Sequence, residues 1–140
     1  MLDLPKSLLD ELKEPTYKRD DSSVVKAALD ELGLSPSSLF VEFFETYEGP
    51  FWSEKLGYEM LDIISESPNM VEHTTLCREQ YEFPAEYLVL TEITTGQVAV
   101  LNVSTDQVYE VDFEGGDELL KNAQLKPRWL SFREYLTDYF

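Results

Sequence analysis

The order of hydrophobic patterns along this 140-residue chain predicts an α+β fold: one domain whose central antiparallel sheet, of about four to six strands, is flanked by helices. Three observations carry that expectation. Apolar residues recur at three- and four-residue spacing towards both ends of the chain, they concentrate in three successive short runs in its second half, and those runs are separated by hairpin-length segments too short for a crossover helix. Antiparallel neighbours, with helices mostly on one side of the sheet, are therefore expected. Residues 1–20 read as an N-terminal extension with a short helix, and 22–140 as the domain itself.

A first helix, Pro5 to Glu14, sets Leu8, Leu9 and Leu12 on one side, and the polar "EPTYKRDDSS" behind it suggests loose attachment. Val24, Val25, Ala28, Leu29 and Leu32 mark a second helix from Ser23, which Gly33 stops. In the third, Ser35 is the expected cap and Pro36 the first-turn residue, with Leu39, Phe40, Phe43, Phe44 and Tyr47 facing the core and Glu42, Glu45 and Glu48 facing away. Gly49 is expected to close that helix in the left-handed conformation and Pro50 to prevent its resumption, with Phe51 and Trp52 folded back as a structural lid. "LGYEMLDII" reads as a strand or two, with Leu56, Tyr58, Met60 and Asp62 alternating against Glu59 and Leu61. Ser67 caps the next expected helix, Pro68 opens it, and Met70, Thr74, Cys77 and Tyr81 form its stripe. After a Phe83-Pro84 step come "EYLVLTEI", "QVAVLNV" and "QVYEVDF", joined by "TTG" and "STD" turns. In the closing "LSFREYLTDYF", Ser131 and Glu134 form a capping box, Leu130 and Tyr135 a hydrophobic staple, and Phe132, Tyr135, Leu136 and Tyr139 the buried stripe.

Charge constrains function more than any motif does. Eleven basic residues against 28 acidic give a net charge of −17, and no basic residue lies between Arg78 and Lys121. Nucleic acid and anionic membranes are poor partners for such a chain, because binding them relies on Lys and Arg. A basic protein is the partner its charge suits, although acidity also serves solubility alone. No apolar run approaches the roughly 18–20 residues of a membrane span, and the start carries acids where a signal peptide carries a basic region, so a cytoplasmic protein is expected.

Candidate chemistry is sparse. The single cysteine, Cys77, excludes an internal disulfide and a thiolate zinc cluster, and one histidine, His73, leaves little for a His-based metal site. His73 and Cys77 stand four apart and share a helix face, but a thiol on the buried stripe reads as a core residue rather than a nucleophile. "EGGDE" at 114–118 lacks the βαβ setting of a nucleotide loop and reads as a turn in which Asp117 begins a helix. Glu110, Asp112 and Glu114 alternate onto one strand face as a solvated row rather than a cation site. No catalytic residue, cofactor or metal is therefore expected. A small acidic enzyme or ligand-binding domain acting on a sugar or a metal remains the alternative, since 28 acids always contain pairs.

An aromatic helix ending in "YEGPF", a short strand, a helix, a Phe-Pro step into "EYLVL", a hairpin pair ending in "QVYEVDF" and a final "LSFREYL" helix together resemble the SUKH superfamily over about residues 22–140. That family includes the yeast Smi/Knr cell-wall regulators and many bacterial toxin-immunity proteins. Leu34-Ser35-Pro36 stands at the family's leucine-proline step, Glu48-Gly49 at its asparagine-glycine helix stop, and Ser131-Phe132 at its closing Ser-Phe. Thr94-Thr95-Gly96-Gln97 replaces its Gly-Gly-Asp turn, and Phe83 replaces its tryptophan before Pro84. The resemblance implies an α+β fold, no catalytic residues, and a protein-binding role: neutralising a cognate toxin, often a nuclease, or serving as a regulatory scaffold. If the partner is a basic toxin, the expected contacts are Glu42, Glu45, Glu48, Glu82, Glu86, Glu110 and Asp112, acids beside apolar positions on rigid elements.

Overall fold

The computed structural model describes residues 4–65, 67–93 and 96–140, and its elements follow the predicted order. They are α1 (Lys6–Glu11), a 3-10 turn (Pro15–Tyr17), α2 (Ser23–Leu32), α3 (Ser38–Thr46), β1 (Phe51–Trp52), β2 (Glu59–Met60), α4 (Met70–Tyr81), β3 (Tyr87–Val89), β4 (Gln97–Asn102), β5 (Val108–Asp112), α5 (Gly116–Lys121) and α6 (Phe132–Tyr139). The α+β class holds, but the sheet is smaller than expected. Among the described residues the strands form two antiparallel sheets, a β1–β2 ribbon and a three-stranded β3–β4–β5 meander. The ribbon stays separate because Asp62 turns the chain. Leu61 N–H reaches the Leu90 carbonyl at 2.9 Å, and the next carboxylate then accepts from Ile64 N–H at 3.1 Å and Ser65 N–H at 3.0 Å, steering the chain towards α4.

Both faces of the meander are covered, which corrects the one-sided arrangement. Strand alternation sends Leu88, Ala99, Leu101 and Val108 into the main core, where Phe40, Phe43 and Phe44 of α3 and Phe132, Tyr135 and Tyr139 of α6 pack. It sends Tyr87, Val89, Val98, Val100, Tyr109 and Val111 to a second cluster closed by Cys77 of α4 and Leu120 of α5. The strands consequently read as near-continuous apolar runs.

The N-terminal segment is anchored in the main core. Leu4, Leu8 and Leu12 are buried there, and Arg19, inside the stretch that reads as a polar connection, is itself buried. Its guanidinium donates to the Phe44 carbonyl and to Asp62 Oδ1, and Nη1 lies 3.5 Å from Glu48 Oε1. Asp62, fully buried, also accepts from Gly49 N–H at 2.9 Å. One ion pair thus ties the segment before α2 to the ends of α3 and β2.

The helix caps sit two residues later than the sequence suggested in two places. Ser37, not Ser35, caps α3 by accepting from Phe40 N–H, and Asn69, not Ser67, caps α4 by accepting from Glu72 N–H at 2.9 Å. Each proline therefore precedes its cap instead of opening its helix. Gly33 closes α2 with φ 70°, as expected. Gly49 does not play that part: α3 ends at Thr46, Tyr47 is already extended at φ −120°, and Gly49 is absent from the positive-φ residues. Tyr47 instead bridges to Lys18, which draws the chain out of helical geometry.

Gly49 is required by close approach. A Cβ there would lie 2.8 Å from Phe51 Cε2, 2.9 Å from Cδ2 and 3.3 Å from the Asp62 nitrogen, and the fully buried Phe51 ring has no room to yield. Gly49→Ala is accordingly expected to destabilise by about 1–3 kcal/mol, the usual range for overpacking. A denaturation midpoint equal to wild type would show that the ring can shift.

At the C-terminal end, Ser131 Oγ accepts from Glu134 N–H at 3.1 Å, but the Glu134 carboxylate accepts from Leu130 N–H at 2.9 Å, one residue earlier than a capping box requires. The staple fails as well. Leu130 is 64% exposed while Tyr135 is buried, because Tyr135 packs against Trp129 at 4.8 Å between ring centroids. The Pro84 carbonyl accepts from Tyr87 N–H at 3.2 Å as β3 begins. The "STD" turn closes with Asp106 at φ 68°, whereas Thr94 and Thr95 of the other turn lie outside the described residues.

Candidate functional site

Phe51 and Trp52 part company. In a two-residue strand successive side chains point to opposite faces, so Phe51 is fully buried among Tyr17, Phe43 and Phe44 while Trp52 is 56% exposed. Trp52 is therefore not a lid on the core. It forms one wall of a cleft of about 450 Å³ between the ribbon and the meander, with Tyr58, Glu59, Gln97, Ala99 and Glu110 among the lining residues. That volume falls in the range of ordinary ligand sites, roughly 300–1,000 Å³.

The walls are rigid for identifiable reasons. The Tyr139 hydroxyl accepts from Met60 N–H and donates to the Phe51 carbonyl, with the Tyr58 carbonyl 3.0 Å away. Ser53 Oγ donates to the Tyr139 carbonyl and accepts from Leu56 N–H at 2.9 Å, which fixes the tip of the ribbon. Helix α6 thus holds both ribbon strands through one phenol and one hydroxyl. Tyr58 Oη lies 3.3 Å from Tyr135 Oη, and burial pushes the Tyr58 phenol up to about 12, so it remains a neutral hydrogen-bonding group at physiological pH.

On the meander side, Glu110 projects from β5 on the same face as Ala99, its partner in the β4–β5 register. The segment after α5 runs alongside: Val108 N–H donates to the Trp129 carbonyl and Arg128 N–H to the Val108 carbonyl, each at 2.9 Å. Arg128 Nη1 is thereby set 2.5 Å from Glu110 Oε1, and its guanidinium carbon lies 4.5 Å from the Trp129 ring centroid.

The seven acids expected to contact a partner lie on separate elements. Glu42 is exposed and Glu45 half-buried on α3; Glu82 occupies the left-handed cap of α4 at φ 58°, and Glu86 begins the approach to β3. Two are engaged within the chain, Glu48 with Arg19 and Glu110 with Arg128. Asp112 has a structural duty, accepting at 3.0 Å from both Glu114 N–H and Gly116 N–H to form the turn into α5. Of the seven, Glu110 alone lines the cleft, and Glu59, which the sequence marks only as a strand position, faces the same space.

Cys77 is buried, and burial raises its thiol to about 11, far from the thiolate state that nucleophilic chemistry needs. Among the described residues no three His, Cys, Asp or Glu side chains are grouped to hold a metal ion, and no helix is long and apolar enough to cross a membrane. The fold and cleft together define a strongly acidic α+β domain with an aromatic and carboxylate-lined surface recess. No protein-family model matches the chain, and no curated protein matches it.

Proposed function

We propose that this chain is a non-catalytic protein-binding domain of the SUKH type, acting in the cytoplasm as an immunity protein that neutralises a basic toxin domain by occlusion. The observation that carries the reading is the pairing of a −17 charge with an open, rigid cleft whose tryptophan is left exposed. A half-exposed tryptophan on a braced strand is the kind of anchor that protein interfaces are built around. Toxin nucleases are the partner class that fits best, because gripping nucleic acid requires a basic groove that an acidic surface complements. The buried thiol and the resemblance to a family without catalytic residues support the non-catalytic part.

Association with a cognate basic toxin domain is expected to slow steeply as salt rises from about 50 to about 500 mM, across Debye lengths of roughly 13 to 4 Å. Glu42→Lys combined with Glu45→Lys should slow association roughly tenfold at low salt and leave the melting temperature unchanged, since neither residue makes an internal ion pair among the described residues. Stopped-flow association rates provide the measurement. A salt-independent rate, or a double variant that binds and protects like wild type, removes the electrostatic mechanism.

A further inference from the structure

Trp52 and Glu59 stand directly opposite each other in the β1–β2 ladder, and both are exposed. Opposed residues of an antiparallel pair project to the same face with Cβ atoms about 4.5–5.5 Å apart. An indole and a carboxylate therefore project from one wall of the cleft. Among the described residues no cation pairs with Glu59. Elsewhere in the chain a guanidinium already makes both kinds of contact, Arg128 lying over the Trp129 ring and pairing with Glu110, another carboxylate of the cleft. There the chain supplies its own arginine, whereas Trp52 and Glu59 are open to solvent.

We infer that the cleft receives an arginine side chain from the partner protein, its guanidinium stacked on Trp52 and paired with Glu59. This rests on the partner-binding reading above and adds the chemical group that the partner brings. Arginine fits better than lysine because a planar guanidinium offers a face to the indole and two parallel donors to one carboxylate at the same time, which a tetrahedral ammonium does not. A cation fits better than a neutral ligand because the field of a chain with 28 acids and 11 bases concentrates positive groups at Glu59, the lining carboxylate without an ion pair among the described residues. The stacking is strengthened as the partner excludes water from the cleft.

The test uses the intact chain labelled with nitrogen-15 and titrated with N-acetyl-arginine methylamide, its isosteric neutral citrulline counterpart, the lysine counterpart, and a neutral disaccharide. Saturable shifts of the Trp52 indole N–H and of the Gly57 and Ala99 amides are expected with the arginine probe. The Trp129 indole, hydrogen-bonded to Asp138 at 2.8 Å, should stay in place. The citrulline probe should bind at least about tenfold more weakly, Glu59→Gln should weaken the arginine probe by a similar factor, and Trp52→Ala should abolish its shifts. Both substitutions fall on exposed side chains, so an unchanged melting temperature confirms that the fold is intact. The assignment is overturned if citrulline, lysine or the disaccharide binds as tightly as arginine, if Glu59→Gln has no effect, or if the arginine probe shifts none of these signals. The two readings fail separately: arginine binding without toxin neutralisation removes the immunity role and leaves the cleft's chemistry standing, whereas neutralisation unaffected by Trp52→Ala and Glu59→Gln places the toxin contact elsewhere.

Discussion

Asp62→Ala is expected to cost about 3–5 kcal/mol, the largest effect of any single polar substitution considered, because it strands a buried guanidinium. The carboxylate serves four donors at once: Arg19 and the backbone N–H groups of Gly49, Ile64 and Ser65. Removing it leaves Arg19 with the Phe44 carbonyl and a long contact to a partly exposed Glu48. The reverse deletion is milder. Arg19→Met leaves Asp62 with its three backbone donors and keeps an apolar stem of similar length, so a loss closer to about 2 kcal/mol is expected. Urea denaturation of both variants is the check, and Arg19→Met proving as damaging as Asp62→Ala would mean that the ion pair, not the backbone turn, dominates this centre.

Tyr139→Phe ranks second, at about 2–4 kcal/mol. The substitution preserves the ring, which is fully buried between Tyr58, Tyr135 and Phe140, and removes only an oxygen that Met60 N–H and the Phe51 carbonyl both use. Each buried group left without a partner costs about 1–3 kcal/mol. Local effects should exceed the global ones. Hydrogen exchange at the Met60 amide is expected to accelerate more than exchange in the meander, and the arginine-probe shifts at Trp52 should weaken as the ribbon loosens. Unchanged Met60 protection would show that other contacts hold the ribbon.

Periodic elements were legible in the sequence and the polar centre was not. Helix α2 falls where its apolar spacing and Gly33 put it, and the buried stripe of α6 is the one that Phe132, Tyr135, Leu136 and Tyr139 spell out, because repeated burial leaves a repeated signal. Arg19 and Asp62 are 43 residues apart and each looks like an ordinary surface charge in its own neighbourhood. Only the fold makes them partners. The position of Trp52 could have been read: alternation predicts that one of two consecutive strand aromatics points outward, and grouping Phe51 with Trp52 as a single lid ignored the period of two. Glu59 was recoverable by the same rule once Trp52 was placed. Gly49 is required by close approach rather than as a left-handed cap: a glycine after a helix signals such a cap by default, and the sequence does not show that the Phe51 ring folds back to 2.8 Å from its missing Cβ.

The bonds that brace the ribbon through Tyr139 join groups 79 to 88 positions apart along the chain, whereas the meander is built from neighbouring strands. Closing so long a loop carries an entropic cost that must be met before the contact returns any energy, so these bonds belong on the native side of the folding barrier. Tyr139→Phe should then leave the refolding limb of the chevron almost untouched and steepen the rate at which the native state opens. The arginine-accepting wall would be the last part of the molecule to assemble and the first to come undone. A partner that seats on it would act as a kinetic clamp, lengthening the life of the folded state by holding shut the part that unfolds earliest.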